Sequence, residues 1–256
     1  MRFLKAVMNV LGFRDREKGS FLKNGVVLFL ALIVALSAGN SEAKQKTASA
    51  KASSAVSEPL GANAPPEVKA VLDKVEEAQS TVKDVQMDLR MQVKDNVSGQ
   101  KQSVRGQVKM KSPDKVYAHY TKPTEQFLYI NGNTLLMYQP DQAMVYKQSA
   151  AKGQPVYLGV GKQLKMYSGT SRVSIIKESN SEVVLLFVPD GGNAQFERMK
   201  VTVRKADWWP GKVEIESTSM SSVAEFLKPV YNQDLKDEIF KFTPPQGVNV
   251  VEGEIF

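Results

Sequence analysis

Along "VQMDLRMQV", residues 85–93, apolar and polar positions alternate without a break: Val85, Met87, Leu89, Met91 and Val93 against Gln86, Asp88, Arg90 and Gln92. Successive side chains of a strand point to opposite faces, so this run predicts a strand with one dry and one wet face. The next segment repeats the pattern. Val104, Val108 and Met110 share one face, with Gly106 between them, and Arg105, Gln107, Lys109 and Lys111 share the other. Further strands are predicted at Lys115–Tyr120, Gln126–Ile130, Thr134–Tyr138 and Ala143–Lys147. "NG" at Asn131–Gly132 and "QPDQ" at 139–142 supply the turns between them. Such short connections favour an antiparallel meander, because parallel neighbours need a long crossover.

Upstream the period changes. Val68, Val71, Leu72, Val75 and Ala78 fall at helical spacing in "PEVKAVLDKVEEAQS", residues 66–80, and Pro66 suits a first turn. Residues 155–167 are ambiguous and could hold a short broken helix, because glycines interrupt them. Strand patterns resume at Arg172–Ile176, Val183–Val188, Gln195–Arg204, Lys212–Ser217 and Val223–Val230. The last strand is predicted at Ile239–Thr243, inside "FKFTPPQGVNV", with Phe240 and Phe242 on one face. Pro244 and Pro245 lack amide hydrogens and would end its ladder, and Val248 and Val250 would pack back on the domain. The fold class is mainly β, with about ten or eleven antiparallel strands. A sheet that wide curls, and its dry face needs a helical cover.

The N-terminus departs from this patterning. Residues 25–38, "GVVLFLALIVALSA", are uncharged and apolar, too short to span a bilayer at about 20 residues, and follow a basic leader. Residues 1–43 read as a secretory signal cut near Ala43, with retention as an N-terminal anchor as the alternative. Residues 44–64 are Ala, Ser and Lys with almost no large apolar side chain, and read as a disordered linker. The folded domain is expected over 65–256. The leader takes six of the 34 basic and three of the 27 acidic residues, leaving 28 and 24, a net +4. No basic stripe with interleaved aromatics remains, which argues against nucleic acid. The chain has no cysteine, so disulfides, a thiolate nucleophile and a lipid-anchored cysteine are excluded.

Candidate chemistry is sparse. His119 stands alone and cannot build a histidine-rich metal site. "GVGK" at 159–162 lacks the spacing of a phosphate loop, and no G-x-S-x-G elbow is present. The reading is therefore no catalytic residue, no metal and no cofactor. Trp208 and Trp209, before Pro-Gly, form a hairpin corner or an exposed contact for a partner or a membrane surface. Leu89, Met91, Val108, Met110, Leu128, Ile130 and Leu136 are candidates for lining an acyl-sized cavity. Methionine adapts to irregular apolar shapes, and burial stabilises a lipid tail by about 0.8 kcal/mol per methylene.

The span 106–146 combines Gly106, Lys111–Pro113, Val116–Tyr120, Pro123, Gln126–Ile130, Asn131–Gly132 and Leu135–Pro140 in one order. Phe240 to Val248 add "F-x-F-x-P-P-x-G-V". Together these motifs resemble the lipoprotein-carrier family of the Gram-negative periplasm. The resemblance implies a curved antiparallel half-barrel, lidded by helices over a hydrophobic cavity. It also implies a periplasmic chaperone that makes and breaks no bond. Such a carrier accepts acylated lipoproteins from an inner-membrane exporter and hands them to an outer-membrane acceptor, with transient membrane contact. The absent lipobox cysteine fits the soluble carrier. The family commonly places a lid-closing arginine where this chain has Ser112, so lid control is expected to differ. An envelope sensor or regulatory lipid-binding module on the same fold, and a structural β domain with a filled core, are the alternatives.

Overall fold

The computed structural model describes residues 64–149, 160–190 and 196–254. The expected signal segment 1–43, the expected linker up to residue 63, residues 155–159 of the ambiguous segment and Gln195 lie outside the described residues. Helix α1 spans Pro66–Ser80, as its spacing predicts, and buries Val68, Val71, Leu72 and Val75. Helix α2 spans Val160–Ser168 and buries Leu164 and Gln163. The ambiguous middle segment thus contributes a helix despite its glycines. Gly161 lets α2 approach α1: a Cβ there would lie 3.1 Å from the Glu76 Cα.

Twelve strands form one sheet: β1 Asp84–Asp95, β2 Lys101–Lys111, β3 Lys115–Lys122, β4 Gln126–Asn131, β5 Thr134–Gln139, β6 Met144–Ser149, β7 Ser171–Glu178, β8 Glu182–Pro189, β9 Arg198–Arg204, β10 Pro210–Glu216, β11 Met220–Tyr231 and β12 Asn249–Glu254. Their order is β12-β6-β5-β4-β3-β2-β1-β11-β10-β9-β8-β7, so the sheet is open and curved. Two meanders, β1–β6 and β7–β11, are joined where β11 returns to pair with β1. The inner face carries one continuous core, running from Leu135 and Met137 through Leu128, Val108 and Leu89 to Val201, Leu185 and Val173. α1 and α2 pack on that core through Val68, Leu72, Val75 and Leu164.

The structure corrects the predicted C-terminus. Ile239–Thr243 is not a strand: Asp237–Phe240 forms a 3-10 turn, and the last strand is β12, paired parallel with β6. Residues 232–248 run instead as a strap over the outer face. Asp84 accepts the Gln233 and Leu235 amides at 2.8 and 3.2 Å, which starts the strap at the head of β1. Phe240 is buried against β3 and β4 (1% exposed), and Phe242 stacks on Tyr129 and Tyr138, with centroids 4.8 and 5.1 Å away. Alternation in "FKF" suits a strand and a strap equally well, because both place two rings on one side. Val248 is half-buried and Val250 exposed, so it is the backbone of β12 that holds the tail.

Two lysines pin the strap. Lys111 Nζ donates to the Leu235 carbonyl at 2.6 Å and pairs with Asp237 at 2.8 Å, and Lys115 pairs with the same carboxylate at 2.7 Å. Hydrogen bonds from Lys111 and then Lys115 lower the Asp237 carboxyl to about 2. A depressed carboxylate contributes stability above its unfolded value, and that contribution is lost as the pH falls through its folded value. The strap should therefore hold at neutral pH and loosen between about pH 4 and 2. Hydrogen exchange at Asn249, whose amide donates to the Ala143 carbonyl at 2.9 Å, reads this out. Asp237→Asn should show the faster exchange already at neutral pH. Protection that persists unchanged to pH 2 would remove Asp237 as the pin.

Candidate functional site

The inner face under the two helices is built from the alternating residues. Leu89, Met91, Val108, Leu128 and Ile130 are buried there at 2% exposure or less, and Met110 at 8%. They belong to the same core as the helix residues, so the strands and the lid bring these candidates together. Leu136 does not join them. The hairpin turn is Gly132–Asn133, and it pairs Ile130 with Leu135 and Leu128 with Met137. A two-residue loop reverses the numbering parity across the turn, so the inward positions of β5 are Leu135 and Met137. Leu136 faces outward opposite Tyr129.

The inner face is not wholly apolar. Gln126, Gln139 and Gln148 are buried on β4, β5 and β6. On α2, Gln163 is fully buried, and among the described residues neither its amide nitrogen nor its oxygen finds a hydrogen-bond partner.

An ionic latch ties the two lid helices to each other. Lys165 of α2 pairs with Asp73 at 2.8 Å and with Glu76, both on α1. Gln79 Oε1 accepts the Gly161 amide at 2.6 Å one turn further on. Hydrogen bonds to Asp73 and Glu76 raise the Lys165 ammonium, and the Lys165 and Lys69 hydrogen bonds lower the Asp73 carboxyl. Both groups therefore stay charged across neutral pH. Ser112 takes no part: it is exposed, its amide donates to the Lys83 carbonyl at 2.8 Å, and its hydroxyl reaches neither helix among the described residues. The neighbouring Lys111 serves the strap instead. The latch escapes sequence reading because Lys165 and Glu76 are 89 residues apart. The available signal is Asp73 and Glu76 at i,i+3 on one helix face.

Trp208 and Trp209 are not an exposed contact. Trp209 is 5% exposed in the core, and Trp208 is half-buried with Lys74 of α1 over its ring at 4.5 Å. Arg204 and Tyr231 hold Asp207 at 2.9 and 2.7 Å, which fixes the hairpin that carries the tryptophans. Trp208 thus ties α1 to the β9–β10 corner.

His119 lies on the outer face, hydrogen-bonded to Glu125 at 2.8 Å and stacked on Phe127 with centroids 4.5 Å apart. Among the described residues, no three His, Asp or Glu side chains are placed to hold a metal ion. No described helix is long and apolar enough to cross a membrane.

Residues 80–243 match the family described as outer membrane lipoprotein carrier protein LolA. An outer-membrane lipoprotein carrier protein of Salmonella typhi is 26% identical over 209 residues, covering 81% of this chain and 97% of that protein. An uncharacterised protein of Methanocaldococcus jannaschii is 24% identical over 200 residues, and there the chain spans about half (52%) of the relative's length. Among solved structures, an uncharacterised conserved protein from Thermus thermophilus matches with a TM-score of 0.51 at 12% identity. It covers 73% of this chain and 99% of that one, and it shows the fold alone.

Proposed function

The chain belongs to the LolA family, and on that premise we propose that it is a periplasmic chaperone for acylated lipoproteins. Their acyl chains lie against Leu89, Met91, Val108, Met110, Leu128 and Ile130 beneath α1 and α2. The observation that carries this reading is the continuous, mostly apolar core of the inner face under two latched helices. Burial of hydrocarbon is non-directional and needs no reacting group, so such a face can hold varied tails and release them unchanged. The cargo would come from an inner-membrane exporter and pass to an outer-membrane acceptor.

The latch sets the exchange rate in this scheme. Both of its partners are partly exposed, so it contributes modestly to stability and can open without unfolding the sheet. Lys165→Met should leave the fold intact and speed release of a bound fluorescent acyl peptide several-fold, read by stopped-flow dilution. An unchanged release rate would remove the latch from the cycle.

Function itself is tested by purifying the mature 44–256 form from periplasm and weighing what accompanies it. The carrier reading expects triacylated lipoproteins in stoichiometric amount and their release from inner-membrane vesicles. Ligand-free protein that releases none would contradict it. Capture of one dedicated protein, with lipoprotein sorting intact, would favour a sensor.

A further inference from the structure

A polar groove of about 310 Å³ opens on the outer face between β1, β2 and β3, lined by Asp88, Arg90, Arg105, Gln107, His119 and Thr121, with Leu89 and Gly106 at its floor. It lies across the sheet from the proposed acyl-binding face and does not depend on that reading. Arg90 and Arg105 are direct cross-strand partners in register. Like charges directly opposite one another are destabilising. The other three described arginines, Arg172, Arg198 and Arg204, are each paired with a carboxylate. Arg90 and Arg105 have no ion pair among the described residues, although Glu225 is the β11 register partner of Arg90. Asp88 reaches toward Lys228 at 3.8 Å, and Glu125 is taken by His119.

The backbone builds the groove. The β2–β3 register shifts between Arg105 and Gly106, so Arg105 pairs with Lys122 while Gly106 pairs with Tyr120, and Thr121 is left over. Thr121 Oγ1 closes the bulge by donating to the Arg105 carbonyl at 3.3 Å. Bulges bend a strand and re-aim its side chains.

We propose that this groove is a recognition site for a carboxylate of a protein partner. Two guanidinium forks present planar, paired donors that suit a carboxylate, and Gln107 adds an amide beside them. Such an anion would turn a repulsive pair into a bridged one. Lys94, Lys101, Lys109 and Lys122 flank the two arginines, so positive charge alone would also suit an anionic bilayer. What favours a discrete carboxylate is the pair of opposed guanidinium forks with Asp88, Glu125 and Glu225 close by.

The test is an NMR titration of the folded domain with acetyl-Gly-Glu-Gly-Glu-Gly-amide. Expected are saturable shifts confined to Arg90, Arg105, Gln107 and His119. Arg90→Gln with Arg105→Gln should weaken the binding at least about tenfold, as loss of a charge-assisted hydrogen bond implies. Arg90→Lys with Arg105→Lys should weaken it less. Arg90→Gln alone should leave the thermal midpoint unchanged or higher, which separates the site from a structural role. Linear, unsaturable shifts, or equal shifts in the double glutamine variant, would overturn the proposal. So would inorganic phosphate binding as tightly as the peptide. Binding to phosphatidylglycerol vesicles that depends on both arginines, with no peptide response, would overturn the carboxylate source.

Discussion

Alanine at Gly106 should cost the domain about 3 kcal/mol or more, read as a lowered urea midpoint with an unchanged slope. A Cβ on Gly106 would stand 2.3 Å from the His119 carbonyl oxygen and 3.1 Å from the Tyr120 Cα. Both are backbone atoms of β3, so no side chain can swing away to relieve the overlap. The conformation of Gly106 is not the issue: the reason for glycine here is close approach at the shifted register between β2 and β3. Relief requires β2 and β3 to separate, and Val108, Ala118 and Tyr120 on either side of the shift are buried at 1% or less. A variant within about 0.5 kcal/mol of wild type would show that the strands can part freely there.

Phe240→Ala should be comparably severe, at about 3–5 kcal/mol. The Phe240 ring is 1% exposed and sits outside the main core, under the strap. The outer face of β3, β4 and β5 carries a chain of rings, in which Tyr117 meets Tyr129 at 5.3 Å and Phe127 meets Tyr138 at 6.0 Å. Loss of Phe240 leaves a cavity that the strap, pinned at Asp84, Lys111 and β12, can close only in part. Phe242→Ala should cost less, because that ring is half-buried and stacks without being enclosed. A larger loss at Phe242 than at Phe240 would place the anchor of the strap elsewhere.

These two residues mark where the sequence was legible and where it was not. Gly106 and the F-x-F signature were both visible as family motifs, and the family assignment agrees with them. Alternation also placed Val85, Met87, Leu89, Met91 and Val93 on one face of β1, and all five are buried. What alternation does not carry is the phase between strands. Leu136 shows this: the run Thr134–Tyr138 is a strand, but its inward face follows from the loop length, through Ile130 opposite Leu135. The C-terminal strap failed for another reason. Its partners, Asp84, Lys111 and Lys115, lie more than 100 residues away in the chain. No local pattern distinguishes a ring buried by a distant sheet from one buried by its own ladder. The ionic latch belongs to the same class, with Lys165 and Glu76 separated by 89 residues, whereas the arginine pair sits on consecutive strands and needed only the β1–β2 register.

For the acyl face the methionines provide direct reporters. Met87, Met91, Met110 and Met137 project inward from β1, β2 and β5, and His119, the chain's single histidine, lies on the outer face. Methyl-labelled methionine NMR with a triacylated peptide spin-labelled at its chain ends would place the tails. The account predicts broadening of those four methyls at one equivalent of ligand, with the His119 ring signal still sharp. Sharp inner methyls at saturation, or loss of the His119 signal instead, would contradict it.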